Sequence, residues 1–323
     1  MADVQGLVNI GLLADRQGGP AGVLLQPVGA GPWLDDEWLA GMAAAVPCHV
    51  RVDAHRPESA LADQMVARGI HLTPAAQVCQ ADGDLPTPLP DAQRWISGTW
   101  YLNIQARPHA AQAASRQRAL QLIQLVSEDA DTSALEDIFR QDAALSYQLL
   151  RLVNSAAVAS RREVTSFGQA ILMLGRQQLK RWLHLLLYAA RQDDMRSAML
   201  MAHVARRARG LELLAAKQGL DKATQEQAFM AGMFSMLDIL IGQPLLDILR
   251  PIRITDELRM ALLERAGAIG DLLSNWETLE RGQADEVMSA CERLRMSPAE
   301  SQLIMAQATI WTFELIRERP TTG

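Results

Sequence analysis

The sequence predicts a two-domain α+β protein, with a small α/β module over residues 1–108 and an all-helical domain over residues 109–323. A chain of 323 residues has room for two domains. Gly, Pro and short apolar segments dominate the first part, whereas longer apolar segments with helical periodicity fill the second. With 49% hydrophobic and 21% charged residues, the composition is that of an ordinary soluble globular protein.

The N-terminal elements alternate between strands and helices, which is typical of an α/β module. Strands are predicted at Val23–Leu25, Cys48–Val52, 69–72 and 100–104, and helices at about 35–46 and 58–68. The segment 82–91 carries three prolines and is therefore predicted to be a loop.

The C-terminal part is predicted to contain seven or more helices, because capping residues precede several of its apolar segments. Ser133, Ser166 and Ser297 are each followed three residues later by Glu or Gln, and Thr255 precedes two acidic residues. These residues are predicted N-caps, and Gly175 is predicted to end a helix. Further helices are expected over 176–190, 197–217 and 222–241.

Several separated segments of this helical part resemble the HDOD domain, the "HD-related output domain". They are QDAALSYQLLRLVNSA at 141–156, SFGQAILMLG at 166–175, LKRW at 179–182, and the segments 231–240 and 261–270. The resemblance covers about 109–285. It implies an all-α relative of the HD phosphohydrolases that lacks their metal ligands.

Three N-terminal segments resemble the EAL domain, the phosphodiesterase fold for cyclic di-GMP that HDOD domains often follow. In 12–16, Leu12 stands where the family has a metal-binding glutamate. In 69–76, Ala75 and Ala76 replace an Asp-Asp pair, and 98–102 is similar to the family's closing strand. Since a complete barrel of this kind needs about 200 residues, the resemblance implies a truncated, degenerate EAL-like module that forms an incomplete barrel.

The resemblance to HD phosphohydrolases also places two substitutions at their metal site. Ser235 and Met236 stand where such an enzyme carries His-Asp, and His203 lies near the position of its first histidine. A hydroxyl and a thioether cannot replace an imidazole and a carboxylate around a hard divalent metal. We therefore expect no metal, no cofactor, no catalytic residue and no enzymatic activity, and we interpret these residues as vestigial motif positions.

Two basic groups are candidates for recognition. The first candidate surface comprises Asn154, Ser155, Arg161, Arg162, Arg176, Lys180 and Arg181. A second group contains Arg206, Arg207 and Arg209. Guanidinium groups suit phosphates and carboxylates, so an acidic protein, a nucleotide or, less favoured, a nucleic acid is a candidate partner. A solvated helix face is the alternative, and for Asn154 and Ser155 the structural alternative, that they cap a helix end, is favoured.

These observations predict a bacterial, cytoplasmic, non-enzymatic signal-transduction protein that acts through protein–protein contacts of its HDOD domain, with unknown signalling proteins as partners. The alternatives are a cyclic di-GMP receptor using the EAL-like module and a residual metal-dependent HD phosphohydrolase. The net charge of −6 argues against bulk binding to nucleic acid. We expect no contact with a membrane, because no signal peptide or long apolar segment is visible.

Overall fold

A computed structural model describes residues 7–28, 37–53, 59–103, 110–140, 171–172, 174–189, 195–250 and 254–317. The fold is mixed α+β, with a sheet at the N-terminus followed by a helical region. The chain forms two compact units. One comprises Met1–Asn103, Ala198–Met236 and Thr255–Ile316, and the other comprises Ile104–Ser197, Leu237–Ile254 and Arg317–Gly323.

The first unit contains a six-stranded sheet with the order β4-β3-β2-β1-β6-β5. Its strands are β1 (Leu7–Ala14), β2 (Pro20–Val28), β3 (Cys48–Val52), β4 (Ile70–Pro74), β5 (Val78–Gln80) and β6 (Trp95–Ser97). β1 is antiparallel to β2 and β6, whereas β2, β3 and β4 are parallel to one another, as are β5 and β6. The two helices that separate β2, β3 and β4 make these parallel connections.

The sheet curls into a half-barrel. The rings of His49 on β3 and Trp95 on β6 lie 4.8 Å apart, although β2 and β1 separate the two strands. Strands in a flat sheet are about 4.8 Å apart, so this contact requires strong curvature. A 3₁₀ turn over Ala75–Gln77 is all that joins the two edge strands β4 and β5. Leu13 and Leu24 pack with Trp95 on the concave face.

The described helices confirm most of the predicted ones. They are α1 (Glu37–Ala45), α2 (Ser59–Ala67), α3 (Ala110–Ser127), α4 (Thr132–Arg140), α5 (Arg176–Ala189), α6 (Met195–Lys217), α7 (Lys222–Phe234), α8 (Leu237–Ile241), α9 (Leu245–Leu249), α10 (Asp256–Glu264), α11 (Gly267–Arg281), α12 (Ala284–Arg293) and α13 (Pro298–Arg317). Two caps are confirmed directly. Thr255 Oγ1 accepts from an N–H of the first turn of α10, and Ser297 Oγ accepts from the N–H of Glu300 at 3.2 Å.

Glycine allows two close approaches among the helices of the first unit. A Cβ at Gly232 on α7 would lie 2.4 Å from the Cα of Ala208 on α6. A Cβ at Gly210 would lie 2.0 Å from the ring of Trp276 on α11. Because only glycine leaves this space empty, α6 lies close to both α7 and α11, and polar side chains on the three helices meet.

The described part of the second unit contains the helices α3, α4 and α5 and, further along the chain, the short helices α8 and α9. α3 packs against α4 and α5. Gly175 has φ +77 directly before α5 and its N–H donates to the carbonyl of Ile171, as expected for the predicted helix end. No helix in the described ranges is both long and apolar enough to cross a bilayer.

Two predicted elements differ from the structure, and some strands of the sheet were not predicted. The segment predicted as a strand at 100–104 begins with a 3₁₀ turn over Trp100–Leu102, because Gly98 has φ +101 and Asp82 Oδ1 accepts from the N–H of Thr99 at 3.1 Å. The helix predicted over 222–241 ends at Phe234 and restarts at Leu237. The unpredicted strands are β1, β5 and β6.

A predicted N-cap is also wrong. Ser133 lies inside α4, which begins one residue earlier, and the N–H groups of Ala134 and Leu135 donate to the carbonyl of Asp131. Asp131 therefore occupies the position expected of the cap, and aspartate is as suitable there as serine. Ser166 falls outside the described residues.

Candidate functional site

A buried polar cluster in the first unit surrounds the guanidinium of Arg207. We call it the Arg207 cluster, and its members are Tyr101, His203, Arg207, Ser235, Trp276 and Glu280. His203 and Arg207 are four residues apart on α6, and Trp276 and Glu280 are four residues apart on α11, so each pair shares one helix face. Ser235 follows α7, and Tyr101 lies in the 3₁₀ turn after the sheet.

Glu280 is the anion of the cluster. Arg207 donates to its Oε2 from Nη2 at 2.6 Å and from Nε at 3.1 Å, while Trp276 Nε1 donates to Oε1 at 2.8 Å. Burial alone would raise the pKa of Glu280, but the guanidinium of Arg207 holds it well below the usual value. The carboxyl is therefore ionised and forms a two-pronged ion pair with Arg207.

His203 is held neutral by its surroundings. Burial lowers its pKa, and the positive charges of Arg207 and Arg206 act in the same direction, whereas Glu280 opposes them. Its Nε2 lies 3.2 Å from Arg207 Nη2 and 3.3 Å from Glu280 Oε1, so it accepts from the guanidinium in one tautomer and donates to the carboxylate in the other. Its Nδ1 lies 3.0 Å from the hydroxyl oxygen of Tyr101, which takes the complementary role.

Tyr101 joins the N-terminal part of the chain to α6. Burial raises the pKa of its phenol to about 12, although Arg206 and Arg207 lower it in part. The neighbouring Arg206 is only 3% exposed, and its Nη1 donates to the backbone carbonyl of Ile10 on β1 at 2.7 Å. Buried hydrogen bonds therefore connect α6 to both the 3₁₀ turn and the sheet.

The predicted vestigial positions 203, 235 and 236 do not fit a divalent metal. Ser235 Oγ donates to the carbonyl of Gly232 at 2.9 Å and accepts from Arg207 Nη1 at 3.0 Å, so its hydroxyl is already committed. Met236 is buried and offers only a thioether. A guanidinium lies beside His203, where its charge opposes a second cation. Among the described residues, no three His, Cys, Asp or Glu side chains form a metal-binding group.

The three positions predicted to be vestigial in the N-terminal part lie on the sheet and at its edge. Leu12 is a buried residue of β1, paired in register with Val23 of β2. Ala75 and Ala76 form the 3₁₀ turn between β4 and β5. All three side chains are apolar, so none can supply an oxygen ligand.

The candidate recognition surface is described only in part, because Asn154, Ser155, Arg161 and Arg162 lie outside the described residues. Arg176, Lys180 and Arg181 are on α5 and are partly exposed. Arg176 forms an ion pair with Asp129 at 3.1 Å. Its guanidinium is therefore partly neutralised within the second unit.

The second basic group is not a solvated helix face. Arg206 and Arg207 are 3% and 7% exposed, and their partners are a backbone carbonyl and Glu280. Arg209 is the most exposed of the three and pairs with Glu212 at 2.6 Å. The interpretation as a solvated helix face is therefore wrong for Arg206 and Arg207, because both guanidinium groups are held by tertiary contacts.

The sequence analysis did not predict Tyr101, Trp276 and Glu280 as site residues. The i,i+4 spacing of Trp276 and Glu280 on one helix was the signal available.

Comparison with known proteins identifies a domain within the helical region. Residues 114–253 match the model of the HDOD domain, so the chain contains an HDOD domain, as its sequence motifs predicted. Within the matched range, Ala198–Met236 belongs to the first compact unit and the flanking parts belong to the second.

Two curated relatives are similar to the chain over part of its length. The cyclic di-GMP phosphodiesterase CdgJ of Vibrio cholerae is 30% identical over 200 residues, which are 62% of this chain and 46% of that protein. The protein YuxH of Bacillus subtilis is 27% identical over 49% of this chain and 40% of its own length. The chain thus spans less than half the length of both relatives.

A solved protein of Shewanella amazonensis with a provisional phosphohydrolase name covers 62% of this chain and 98% of its own, at 16% identity and a TM-score of 0.39. A second one from the same organism, also named provisionally as a metal-dependent phosphohydrolase, covers 65% of this chain and 92% of its own, at 14% identity and a TM-score of 0.28. Likenesses of this size do not define a shared fold.

One expectation from the sequence needs correction. The prediction that the chain is not an enzyme is contradicted by its similarity to a Vibrio cholerae protein named for phosphodiesterase activity. The prediction rested on substituted residues at a few motif positions. Substitutions at one site carry no information about catalysis by other residues of the chain, so the prediction went further than its evidence.

Proposed function

We propose that this chain is a bacterial signalling protein of the cyclic di-GMP network, and that its HDOD domain acts by contacting partner proteins. The observation that carries the proposal is the match of residues 114–253 to the HDOD domain, a domain described by its name as an output module. The similarity to CdgJ supports the link to cyclic di-GMP.

We propose the basic face of α5 as part of the contact surface. Lys180 and Arg181 are partly exposed there, and α5 also carries Arg176. Lysine and arginine on one helix suit carboxylate groups, so the expected partner presents an acidic surface. Charge complementarity of this kind affects the association rate and its dependence on salt.

A bait experiment tests this proposal with full-length protein. The variant Lys180→Glu/Arg181→Glu reverses two charges on α5, while Arg250→Glu reverses the charge of a 72% exposed arginine elsewhere in the second unit. We expect a partner retained by the wild type and by Arg250→Glu to be lost with the α5 variant. Equal retention by all three would contradict a role for this face.

A second candidate function is binding or hydrolysis of cyclic di-GMP by the N-terminal module. It is favoured by the similarity to a protein named as a cyclic di-GMP phosphodiesterase. We propose that the curled sheet is a shortened EAL-like module, because its parallel strands and intervening helices suit an incomplete barrel. Arg51 extends from β3 with an exposed side chain and shares a strand face with His49, which makes it the candidate contact for phosphate.

Calorimetric titration and a turnover assay with the full chain test this second function. Cyclic di-GMP is added with Mg²⁺, with Mn²⁺ and with EDTA, and linear dinucleotide product is measured by chromatography. Arg51→Glu should weaken binding at least tenfold, whereas Arg68→Glu, at the end of the neighbouring helix, should not. If no heat and no product are detected, the N-terminal module is not a cyclic di-GMP site.

The division of the chain at residue 108 also stays a proposal, and so does its cytoplasmic location. Arg206 donates to the carbonyl of Ile10, so a fragment of residues 109–323 would leave a buried guanidinium without its acceptor. We expect faster amide hydrogen exchange along α6 in this fragment than in the full chain. Identical protection would support two independently folding domains divided at this position.

A further inference from the structure

The Arg207 cluster has a composition that otherwise surrounds metal ions. The imidazole of His203 and the hydroxyl of Ser235 lie 3.2 and 3.0 Å from the guanidinium nitrogens, and Glu280 lies at 2.6 Å. Imidazole, carboxylate and other oxygen groups are the donors that proteins use for zinc and related metals. The group at the centre, however, is a guanidinium.

We propose that Arg207 is the resident cation of this site and that it excludes divalent metal from it. A guanidinium keeps its positive charge throughout the physiological pH range. It fulfils the same electrostatic requirement as a metal would, because it neutralises Glu280, and it lies 3.2 Å from Nε2 of His203. Unlike a metal, it is covalently attached to α6 and cannot be removed by a chelator.

The geometry gives two reasons for the exclusion. A metal bound to His203 would stand next to a fixed positive charge in a buried place, where Coulomb repulsion is strong. It would also compete for the carboxylate that Arg207 already holds with two nitrogens. The site therefore stabilises the first unit, and any hydrolytic activity of the chain must use other residues. This inference does not depend on the proposed function.

Replacing the guanidinium by a third metal ligand tests the proposal. In Arg207→His, the introduced imidazole would lie four residues after His203 on the same face of α6, a spacing that suits zinc. With the carboxylate of Glu280, three protein ligands would then converge, which is sufficient for a zinc ion that also binds water. We expect purified Arg207→His to retain about one zinc ion per chain and the wild type to retain none.

Arg209→His is the matched control. Arg209 lies on the same helix and also pairs with a buried carboxylate, that of Glu212, but Ala205 stands four residues before it. This variant should bind no zinc. Metal content is measured by mass spectrometry after gel filtration, and zinc affinity by competition with a chromophoric chelator.

The zinc content of the wild type and of Arg207→His decides whether the proposal holds. Zinc uptake by Arg207→His alone supports the proposal. If the wild type binds zinc as well as the variant does, the guanidinium does not exclude metal and the proposal is wrong. If Arg207→His is folded by circular dichroism but binds no zinc, the three donors do not converge, and the proposal is equally wrong.

A second variant keeps the test decisive if Arg207→His does not fold. Arg207→Lys retains a cation and should fold with a lower Tm, because an ammonium cannot reproduce the two-pronged contact with Glu280. Its Tm should not change with zinc or EDTA. An increase of its Tm with zinc, by roughly 5 °C at a large excess, would show that a cation at position 207 does not keep metal out.

Discussion

Glu280→Gln should destabilise the first unit strongly, because it removes the anion that neutralises Arg207. The substitution keeps the size of the side chain and one acceptor oxygen. It removes a charge that accepts from Arg207 twice and from Trp276 once. The guanidinium would then be buried with Glu277 as its nearest remaining carboxylate, at 3.5 Å from Nη1.

The expected loss in the free energy of unfolding follows from the burial of Arg207 and Glu280. The side chains of Arg207 and Glu280 are 9% and 6% exposed, so solvent screens their interaction only weakly. Removing one partner of a buried ion pair costs about 3–5 kcal/mol. Since glutamine keeps one hydrogen bond, we expect a loss near the lower limit, about 3 kcal/mol in the free energy of unfolding.

Urea unfolding followed by circular dichroism measures this loss. Glu286→Gln is the control, because Glu286 pairs with Arg281 of α11 at 3.0 Å while the two side chains are 41% and 53% exposed. The control should lose less than about 1 kcal/mol. If Glu280→Gln costs no more than Glu286→Gln, the buried pair does not stabilise the protein and the reasoning is refuted.

The pH dependence gives an independent check. The pKa of Glu280 is depressed in the folded state, so its contribution is fully present above its unfolded pKa of about 4.3. That contribution is lost as the pH falls through the folded pKa. The difference between the wild type and Glu280→Gln should therefore be constant from pH 7 to pH 5 and shrink only in more acidic solution.

Two further predictions concern packing and capping. Gly232→Ala should cost about 1–3 kcal/mol, because its Cβ would lie 2.4 Å from the Cα of Ala208, whereas Gly41→Ala, with nothing within 4 Å, should be neutral or slightly stabilising. Equal urea midpoints for the two variants would contradict the close crossing. Thr255→Ala should cost about 1 kcal/mol by removing the cap of α10, and Thr255→Ser should recover most of it. Loss without recovery in the serine variant would show that the methyl group, not the hydroxyl, matters.

The sequence predicts the helices better than the sheet, for a physical reason. Helix ends depend on local chemistry, so Thr255 and Ser297 are visible as caps in the sequence. The curvature of the sheet depends on contacts between distant residues. No local signal indicates that His49 and Trp95 meet across two intervening strands.

The Arg207 cluster shows the same difference between local and distant information. His203 and Ser235 were identified from a resemblance, and both are members of the cluster. Glu280, which holds the central charge, lies 73 residues from Arg207 in sequence. A pairing of this separation cannot be predicted from periodicity or capping, because only the tertiary fold brings the two side chains together.

The adjacent Arg206 and Arg207 illustrate why basic residues in a sequence do not define a surface. Neighbours on a helix point about 100° apart, so two consecutive arginines in the buried middle of a helix meet different partners. Arg206 donates to β1 and Arg207 meets Glu280. Both guanidinium groups therefore have partners within the first unit, Arg206 on β1 and Arg207 on α11. Recognition of a partner is proposed instead for the partly exposed Lys180 and Arg181 of α5, and the charge reversal at these two positions tests that assignment most directly.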